Sequence, residues 1–359
     1  MASETIPLAE LIDRQIREVG PMSIAAYMGL ALTHPRDGYY AGADPLGAKG
    51  DFVTAPEISQ MFGELIGFFV VNLWQQMGEP RSFTLLELGP GRGTLMQDAL
   101  RVAARAEGFL DACHLQLFET NPALRAQQAE RLGKYDPYWA SEIDAVADDP
   151  LFVVANEFFD ALPIRQFVKA ADGWHERQVG LRGGTRAFGL SPTPIAGEAM
   201  PEAVRNAAEG EVYEVSLASA DALQRLGRRI AAQRGAILAI DYGYAQTRAG
   251  ETLQAVRKHG FADVLDAPGE VDLSAHVDFG ALARVASDLG LKVESLTTQR
   301  DFLGRLGIIE RASALARANP AQVDALSSAL RRLTDSSEMG TLFKVFCASA
   351  GDLEPIGFA

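Results

Sequence analysis

A run of apolar residues that breaks into three closely spaced glycines most constrains the fold of this chain. Residues 83–88 read as a buried strand, Gly89, Gly91 and Gly93 follow, and a helical pattern begins at Thr94. Glycine adopts positive φ without steric cost and lets the backbone approach a ligand closely. Strand, tight turn and helix in this order open a nucleotide-binding α/β unit.

The spacing of these glycines and the acid before them narrow the identity of the ligand. The dinucleotide fingerprint is spaced G-x-G-x-x-G and cradles a pyrophosphate, whereas this turn is spaced G-x-G-x-G. Glu87 precedes the first glycine by two residues; its carboxylate would repel a phosphate but suits a ligand that carries an amino group. We therefore predict that Glu87, Gly89, Gly91 and Gly93 bind S-adenosylmethionine.

Strands and helices alternate beyond residue 78, which is typical of a parallel sheet. Short alternating runs at about 166–215 predict a β-rich insertion, and residues 1–78 predict an N-terminal helical region with a lid loop. The second domain would span residues 79–359. The predicted sheet strands are Phe83–Leu88, His114–Phe118, Leu151–Ala155 and Ala236–Ile240.

Parallel sheets bind ligands at the carboxyl ends of their strands, so we examined the residue that follows each strand. Glu119 ends the second strand, where an acid commonly accepts hydrogen bonds from ribose hydroxyls. Asn156, Glu157 and Asp160 follow a fully apolar strand, whose end lies beside the reactive centre in an enzyme that binds a cofactor and an acceptor. The two acids could fix a cationic or amine nucleophile, and Asn156 either offers an acceptor oxygen there or caps a helix. Phe158 and Phe159 either wall this pocket or belong to the core.

The loop before an apolar helix is a further candidate for the cofactor site. Residues 50–57 combine glycine, two acids, a threonine and a proline. We predict a lid over the cofactor, with Thr54 and Glu57 in contact with it; alternatively, Thr54 or Pro56 serves only to start the helix. Asp241 and Tyr242 follow the predicted strand Ala236–Ile240 and lie at the same edge of the sheet.

Composition excludes several other classes of function. The net charge of −14 argues against binding nucleic acid and is compatible with a cationic substrate. The histidines and cysteines lack metal-ligand spacing, so no metal site is expected.

The N-terminus lacks the features of a secretory signal or a transit peptide, and no apolar run reaches the length of a membrane span, so we expect a soluble cytoplasmic protein of bacterial type.

Four blocks of sequence resemble the MidA-like, mitochondrial complex I assembly-factor family of S-adenosylmethionine-dependent methyltransferases. They are residues 50–64, 86–95, 155–163 and 272–278. The resemblance implies an α/β, Rossmann-like class I methyltransferase fold with a seven-stranded sheet. It also implies methylation of a protein arginine, because mitochondrial members modify a complex I subunit. By this analogy Gly89, Gly91 and Gly93 hold the methionine part, Glu119 the ribose, and Asn156, Glu157 and Asp160 face the acceptor.

Two alternatives remain open from the sequence. The acceptor could be a small molecule or a protein lysine instead of an arginine. The protein could also be an assembly chaperone without turnover. The N-terminal helical region favours this alternative, and so do Phe68, Phe69 and Trp74 if they face outward.

Overall fold

A computed structural model describes residues 6–41, 54–257 and 260–358 of the chain. Its helices are α1 (Leu8–Val19), α2 (Ile24–Thr33), α3 (Ala55–Ile58), α4 (Gln60–Gln76), α5 (Thr94–Ala103), α6 (Phe109–Ala112), α7 (Pro122–Leu132), α8 (Glu202–Arg205), α9 (Leu217–Gln233), α10 (Phe279–Asp288), α11 (Gln299–Arg305), α12 (Ile308–Ala318), α13 (Val323–Thr334) and α14 (Met339–Leu342). Short 3-10 turns lie at Tyr39–Ala41, Gly133–Tyr135, Gly197–Ala199 and Pro320–Gln322.

The strands of the described residues form three sheets. They are β1 (Met22–Ser23), β2 (Phe83–Leu88), β3 (Cys113–Phe118), β4 (Tyr138–Trp139), β5 (Leu151–Asn156), β6 (Arg165–Ala170), β7 (Gly173–Arg182), β8 (Thr185–Leu190), β9 (Val212–Val215), β10 (Gly235–Tyr244), β11 (Gln254–Arg257), β12 (Gly260–Ala262), β13 (Asp272–Ser274), β14 (Val277–Asp278), β15 (Lys292–Val293), β16 (Thr297–Thr298) and β17 (Phe343–Ala350).

The central sheet has seven strands along its main path, in the order β15-β17-β10-β5-β2-β3-β4. The strands from β10 to β4 are parallel, and β17 joins β10 in antiparallel pairing. Short β14 and β16 pair at the side of this path. The predicted α/β fold with a seven-stranded sheet is confirmed, and the strand predicted at Ala236–Ile240 continues to Tyr244.

The two faces of the central sheet bury separate apolar clusters because successive side chains of a strand point to opposite sides. On β2, Leu85 packs against helices α4 and α5, whereas Leu86 packs in the cluster that includes α9 and α10. Burial on both faces explains why the parallel strands read as continuous apolar runs. It also places every carboxyl end of these strands at one edge, where the polar residues collect.

The predicted insertion forms its own sheet, in which β7 pairs with β6 and β8, and β6 pairs with β9. Strand β1 from the N-terminal region completes it by antiparallel pairing with β7. The N-terminal region is therefore helical with one added strand. The boundary at residue 78 stays a prediction, although packing crosses it: α1 and α2 pack near the insertion, and α4 packs against the central sheet.

One argument for the chaperone alternative was that three aromatic side chains of α4 face outward. Only Phe68 does so among them, at 47% exposed, whereas Phe69 and Trp74 are 1% and 2% exposed. The indole N–H of Trp74 donates to the carbonyl of Pro80 at 3.0 Å, and its ring packs edge-on against Phe109. This observation removes the sequence argument for an aromatic docking surface on α4.

No helix within the described ranges is long and apolar enough to cross a membrane. Both cysteines are free, Cys347 is buried, and burial raises the pKa of the Cys113 thiol to about 12. Neither thiol is therefore activated as a nucleophile.

Candidate functional site

The glycine turn between β2 and α5 has the backbone geometry that its sequence predicts. Gly89, Gly91 and Gly93 have φ values of 61°, 53° and 76°. A Cβ atom at Gly89 would lie 3.2 Å from the ring of Phe158, and one at Gly93 would lie 3.1 Å from Leu132. Side chains at these positions would therefore strain the backbone and crowd the neighbouring elements.

Glu87 is the penultimate residue of β2, next to this turn, and is only 3% exposed. Its Oε2 has no hydrogen-bond partner among the described residues. Burial, together with the nearby carboxylate of Glu119, raises the pKa of Glu87 to about 8. A buried carboxyl without a donor is costly, so this position favours a ligand that brings a cationic donor.

Glu119 ends β3 as predicted, and backbone and amide groups hold its carboxylate. Its Oε1 accepts from the backbone N–H of Asn121 at 2.8 Å, and its Oε2 accepts from Nε2 of Gln128 at 3.3 Å. The same Gln128 nitrogen donates to the carbonyl of Gly91 at 2.6 Å. Burial raises the pKa of Glu119, although its hydrogen bonds oppose this shift. Gln128 thus links two predicted cofactor-binding positions, and sequence reasoning did not single it out.

The short helix α3 connects the predicted lid to the glycine turn. The Glu57 carboxylate accepts from the hydroxyl of Thr94, the first residue of α5, and Arg92 lies 3.7 Å from its Oε2. Thr54 is the N-cap residue of α3, but its side chain makes no capping hydrogen bond. The predicted lid residues 50–53 lie outside the described residues. Contact of Thr54 or Glu57 with the cofactor remains a prediction.

Asn156 and Glu157 lie at the carboxyl end of β5, where they were predicted. The amide Nδ2 of Asn156 donates to Glu157 Oε1 at 3.0 Å, and the backbone N–H of Ala55 donates to the same oxygen at 3.2 Å. Burial and the nearby Asp160 raise the pKa of Glu157 to about 7. Glu157 also has a φ of 51°, an unusual conformation for a residue with a side chain. The fold therefore holds this carboxyl in one place at some conformational cost.

Asp160 is fixed by the end of the neighbouring strand β10. Its carboxylate is hydrogen-bonded to the hydroxyl of Tyr242, and burial raises its pKa to about 6. Asp241 is fully buried, and its side chain accepts from the backbone N–H groups of Phe159, Asp160 and Tyr242 at 3.0, 3.2 and 2.9 Å. Asp241 therefore shapes the loop that carries Asp160, a role that the sequence did not reveal.

The carboxyl groups of Glu157, Asp160 and Asp241, together with Tyr242, are here called the acidic site. Two further residues, from distant parts of the chain, complete it. The hydroxyl of Tyr40 donates to Asp272 Oδ1 at 3.0 Å. The pKa of Tyr40 is raised well above its usual value by burial and by the carboxylates of Asp272 and Asp160. The two residues lie 232 positions apart. No local pattern could have paired them.

The family-model comparison matches residues 65–297 to a family of S-adenosyl-L-methionine-dependent methyltransferases. The chain belongs to this family. It is also similar over most of its length to curated proteins named protein arginine methyltransferase NDUFAF7, mitochondrial. The zebrafish (Danio rerio) protein is 36% identical and the alignment covers 92% of this chain and 84% of that protein; the human protein is 34% identical with 95% and 82% covered.

Among solved structures, a Burkholderia thailandensis protein crystallised with S-adenosylhomocysteine is similar throughout. It is 29% identical, has a TM-score of 0.86, and is matched over 98% of this chain and 93% of its own. This methyltransferase therefore uses S-adenosylmethionine, as predicted. The prediction of a cytoplasmic protein is wrong on these comparisons, because the curated relatives are mitochondrial.

The residues of the site fit the cofactor on structural grounds. The three glycines of the turn have positive φ, and the buried Oε2 of Glu87 has no donor within the described chain. Oδ1 of Asn156 is likewise buried without a described partner. These acceptors match a ligand that carries an ammonium group and hydroxyl groups.

Proposed function

We propose that this methyltransferase methylates a guanidinium nitrogen of an arginine in a protein partner, and that this partner is a subunit of respiratory complex I or a similar protein. Relatives at 34–36% identity carry the name protein arginine methyltransferase, which supports the acceptor class. The partner class is carried by the family resemblance alone.

The observation that carries the proposal is an acidic site that lacks a counterion. Burial raises the pKa of both Glu157 and Asp160, and the nearby Asp160 raises that of Glu157 further. Within the described part of the chain, neither of them forms a salt bridge with a lysine or an arginine. A guanidinium supplies five N–H donors in a planar fork that matches carboxylates, so its binding would satisfy both groups.

We assign Glu87 and the glycine turn to the methionine part of the cofactor, Glu119 to its ribose, and Asn156, Glu157 and Asp160 to the acceptor. When bound, the cofactor would supply an electrophilic methyl group on a sulfonium, and the electron pair of the broken S–C bond would remain on sulfur. Glu157 and Asp160 would orient the guanidinium so that one nitrogen faces the methyl group. As that N–H bond breaks and an N–C bond forms, the released proton goes to a carboxylate, and Glu157, with a pKa of about 7, is suited to accept it.

The proposal is tested with purified protein, isotopically labelled S-adenosylmethionine and lysate from cells that lack the gene. Mass spectrometry of the labelled protein should find methylarginine. Methyllysine or a labelled small molecule would refute the assigned acceptor, and a labelled protein unrelated to complex I would refute the assigned partner.

Glu157→Gln tests the assigned base. We expect the rate of methyl transfer to fall by about 10²- to 10³-fold, because the variant loses the carboxylate that accepts the proton as charge develops on the guanidinium. The affinity for S-adenosylhomocysteine should stay the same. Glu176→Gln is the control, since Glu176 pairs with Arg165 in the insertion sheet. In the wild type, kcat/KM should rise with pH through about 7, as Glu157 ionises. A variant that transfers methyl groups at the wild-type rate would refute the role of Glu157.

A further inference from the structure

Another buried carboxylate lies in the insertion, outside the acidic site. Glu214 on β9 is 3% exposed. Its Oε1 accepts from Nε2 of Gln166 at 2.7 Å and from the backbone N–H groups of Thr252 and Leu253 at 3.0 and 3.1 Å. Its Oε2 accepts from the hydroxyl of Thr252. Among the described residues it forms no salt bridge, so neutral donors alone stabilise this buried charge.

The bonds to Glu214 fix the direction of one hydroxyl group. The single proton of the Thr252 hydroxyl is donated to Glu214, so its oxygen is left to accept. It accepts from the backbone N–H of His276 at 2.9 Å. The side chain of Glu214 therefore holds the backbone at residue 276 through one intermediate residue.

Residues 274–276, here called the 274–276 segment, contact the acidic site with each of their members. Ser274 is hydrogen-bonded to the hydroxyl of Tyr242. The N–H of Ala275 donates to the carbonyl of Asp160 at 3.0 Å, and the His276 ring packs edge-on against Tyr242 with centroids 5.3 Å apart. Any shift of this segment therefore moves both Tyr242 and Asp160.

We propose that Glu214 is a positioning residue for methyl transfer: through Thr252 it holds the 274–276 segment, which in turn aligns Tyr242 and Asp160 at the acceptor. This inference rests on the proposed function and extends it to the insertion. It explains why a charge is buried in a sheet that is separate from the cofactor-binding one.

Glu214→Gln is the informative substitution because it keeps the size of the side chain and one acceptor oxygen. That oxygen can still serve the backbone N–H groups of Thr252 and Leu253. The new amide nitrogen then faces the hydroxyl of Thr252, which must accept from it and no longer has a fixed proton direction. The bond to His276 is weakened while the packing of the insertion is preserved.

The expected result is a fall in kcat of about tenfold, since small displacements of positioning groups are costly, with the affinity for S-adenosylhomocysteine within about twofold of wild type. Thr252→Val should reproduce the loss because it removes the hydroxyl, and Thr252→Ser should restore activity. Glu176→Gln in the same sheet should leave the rate unchanged. Equal loss in Thr252→Val and Thr252→Ser, or a loss confined to cofactor affinity, would overturn the proposal.

A second measurement does not depend on activity. The Tyr242 hydrogen bond lowers the pKa of Asp160, whereas burial raises it. The acids that face Asp160 are Glu157 from its own loop and Asp241 from β10. Tyr40 also faces Asp160 from the N-terminal region.

Carboxyl ¹³C NMR should therefore show Asp160 titrating at higher pH in Glu214→Gln, by about half a unit. In the background Tyr242→Phe, the substitution should have no further effect. An unchanged Asp160 titration would overturn the positioning role. A shifted titration in a protein that never methylates arginine would instead refute the proposed function and leave the positioning role standing.

Discussion

Replacing Glu87 by glutamine should uncouple cofactor binding from proton release. In the free protein the pKa of this buried carboxyl is raised to about 8, chiefly by burial, so at pH 7 about nine-tenths of it is protonated. An ammonium group beside Oε2 would favour the ionised form and return the pKa toward its usual 4.5. Binding of S-adenosylmethionine at pH 7 should then release about 0.9 proton from this residue.

Isothermal titration calorimetry in phosphate and in Tris buffer at the same pH measures that release. For the wild type, the observed binding enthalpy should differ between the two buffers. This difference should equal the difference between their ionisation enthalpies, multiplied by the number of protons released. Glu87→Gln should release about 0.9 proton fewer and should bind the cofactor about 10- to 100-fold more weakly, because it loses a charge-assisted hydrogen bond. Glu130→Gln, at an exposed position on α7, is the control.

The same residue makes a testable contribution to stability in the absence of cofactor. Because its pKa is higher in the folded state than in the unfolded state, its stabilising contribution is present below pH 4.5 and is lost as the pH rises through about 8. From pH 6 to pH 8 the loss integrates to about 2 kcal/mol. The wild type should lose that much more stability over this interval than Glu87→Gln in urea unfolding. Equal pH dependence, together with equal proton release in both proteins, would refute our account of Glu87.

Two further predictions concern the packing of α4. Gly67→Ala should lower the free energy of unfolding by about 1–3 kcal/mol, because the new Cβ would lie 2.4 Å from the carbonyl oxygen of Ala99. Gly29→Ala is the control in thermal unfolding, since open space surrounds Gly29, and equal melting temperatures of the two variants would contradict the close helix contact. Glu64→Gln should lower the free energy of unfolding by about 3–5 kcal/mol, since the buried carboxylate pairs with Arg101 and Arg311. An unchanged urea midpoint would show that these ion pairs contribute nothing to stability.

Local patterns in the sequence were sufficient to predict the strand, turn and helix of the nucleotide-binding unit. The apolar runs predicted β2 and β5 at their observed starts, and Asn121 caps α7 by accepting from two backbone N–H groups. Glu119 and Glu157 could be located because each follows its strand directly. These features depend on residues that are close in the chain, where strand period and capping chemistry apply.

The rest of the site depends on contacts between residues that are distant in the chain. Strand β1 pairs with β7 across more than 150 positions, and Tyr40 meets Asp272 across 232 positions. A two-residue strand carries no period to recognise. Asp241 was visible as a strand-end acid, but its three backbone donors depend on a loop whose shape the sequence does not encode locally.

The left-handed backbone of Glu157 has a consequence for how this site tolerates change. A φ of 51° suits glycine, and any other residue there lowers the free energy of unfolding by about 1–3 kcal/mol. Substitutions that optimise folding at this position therefore remove the carboxylate, and substitutions that keep the carboxylate keep the strain. Selection for thermal stability alone would drive position 157 toward glycine and yield a more stable protein without the carboxyl group that we assign to the acceptor site.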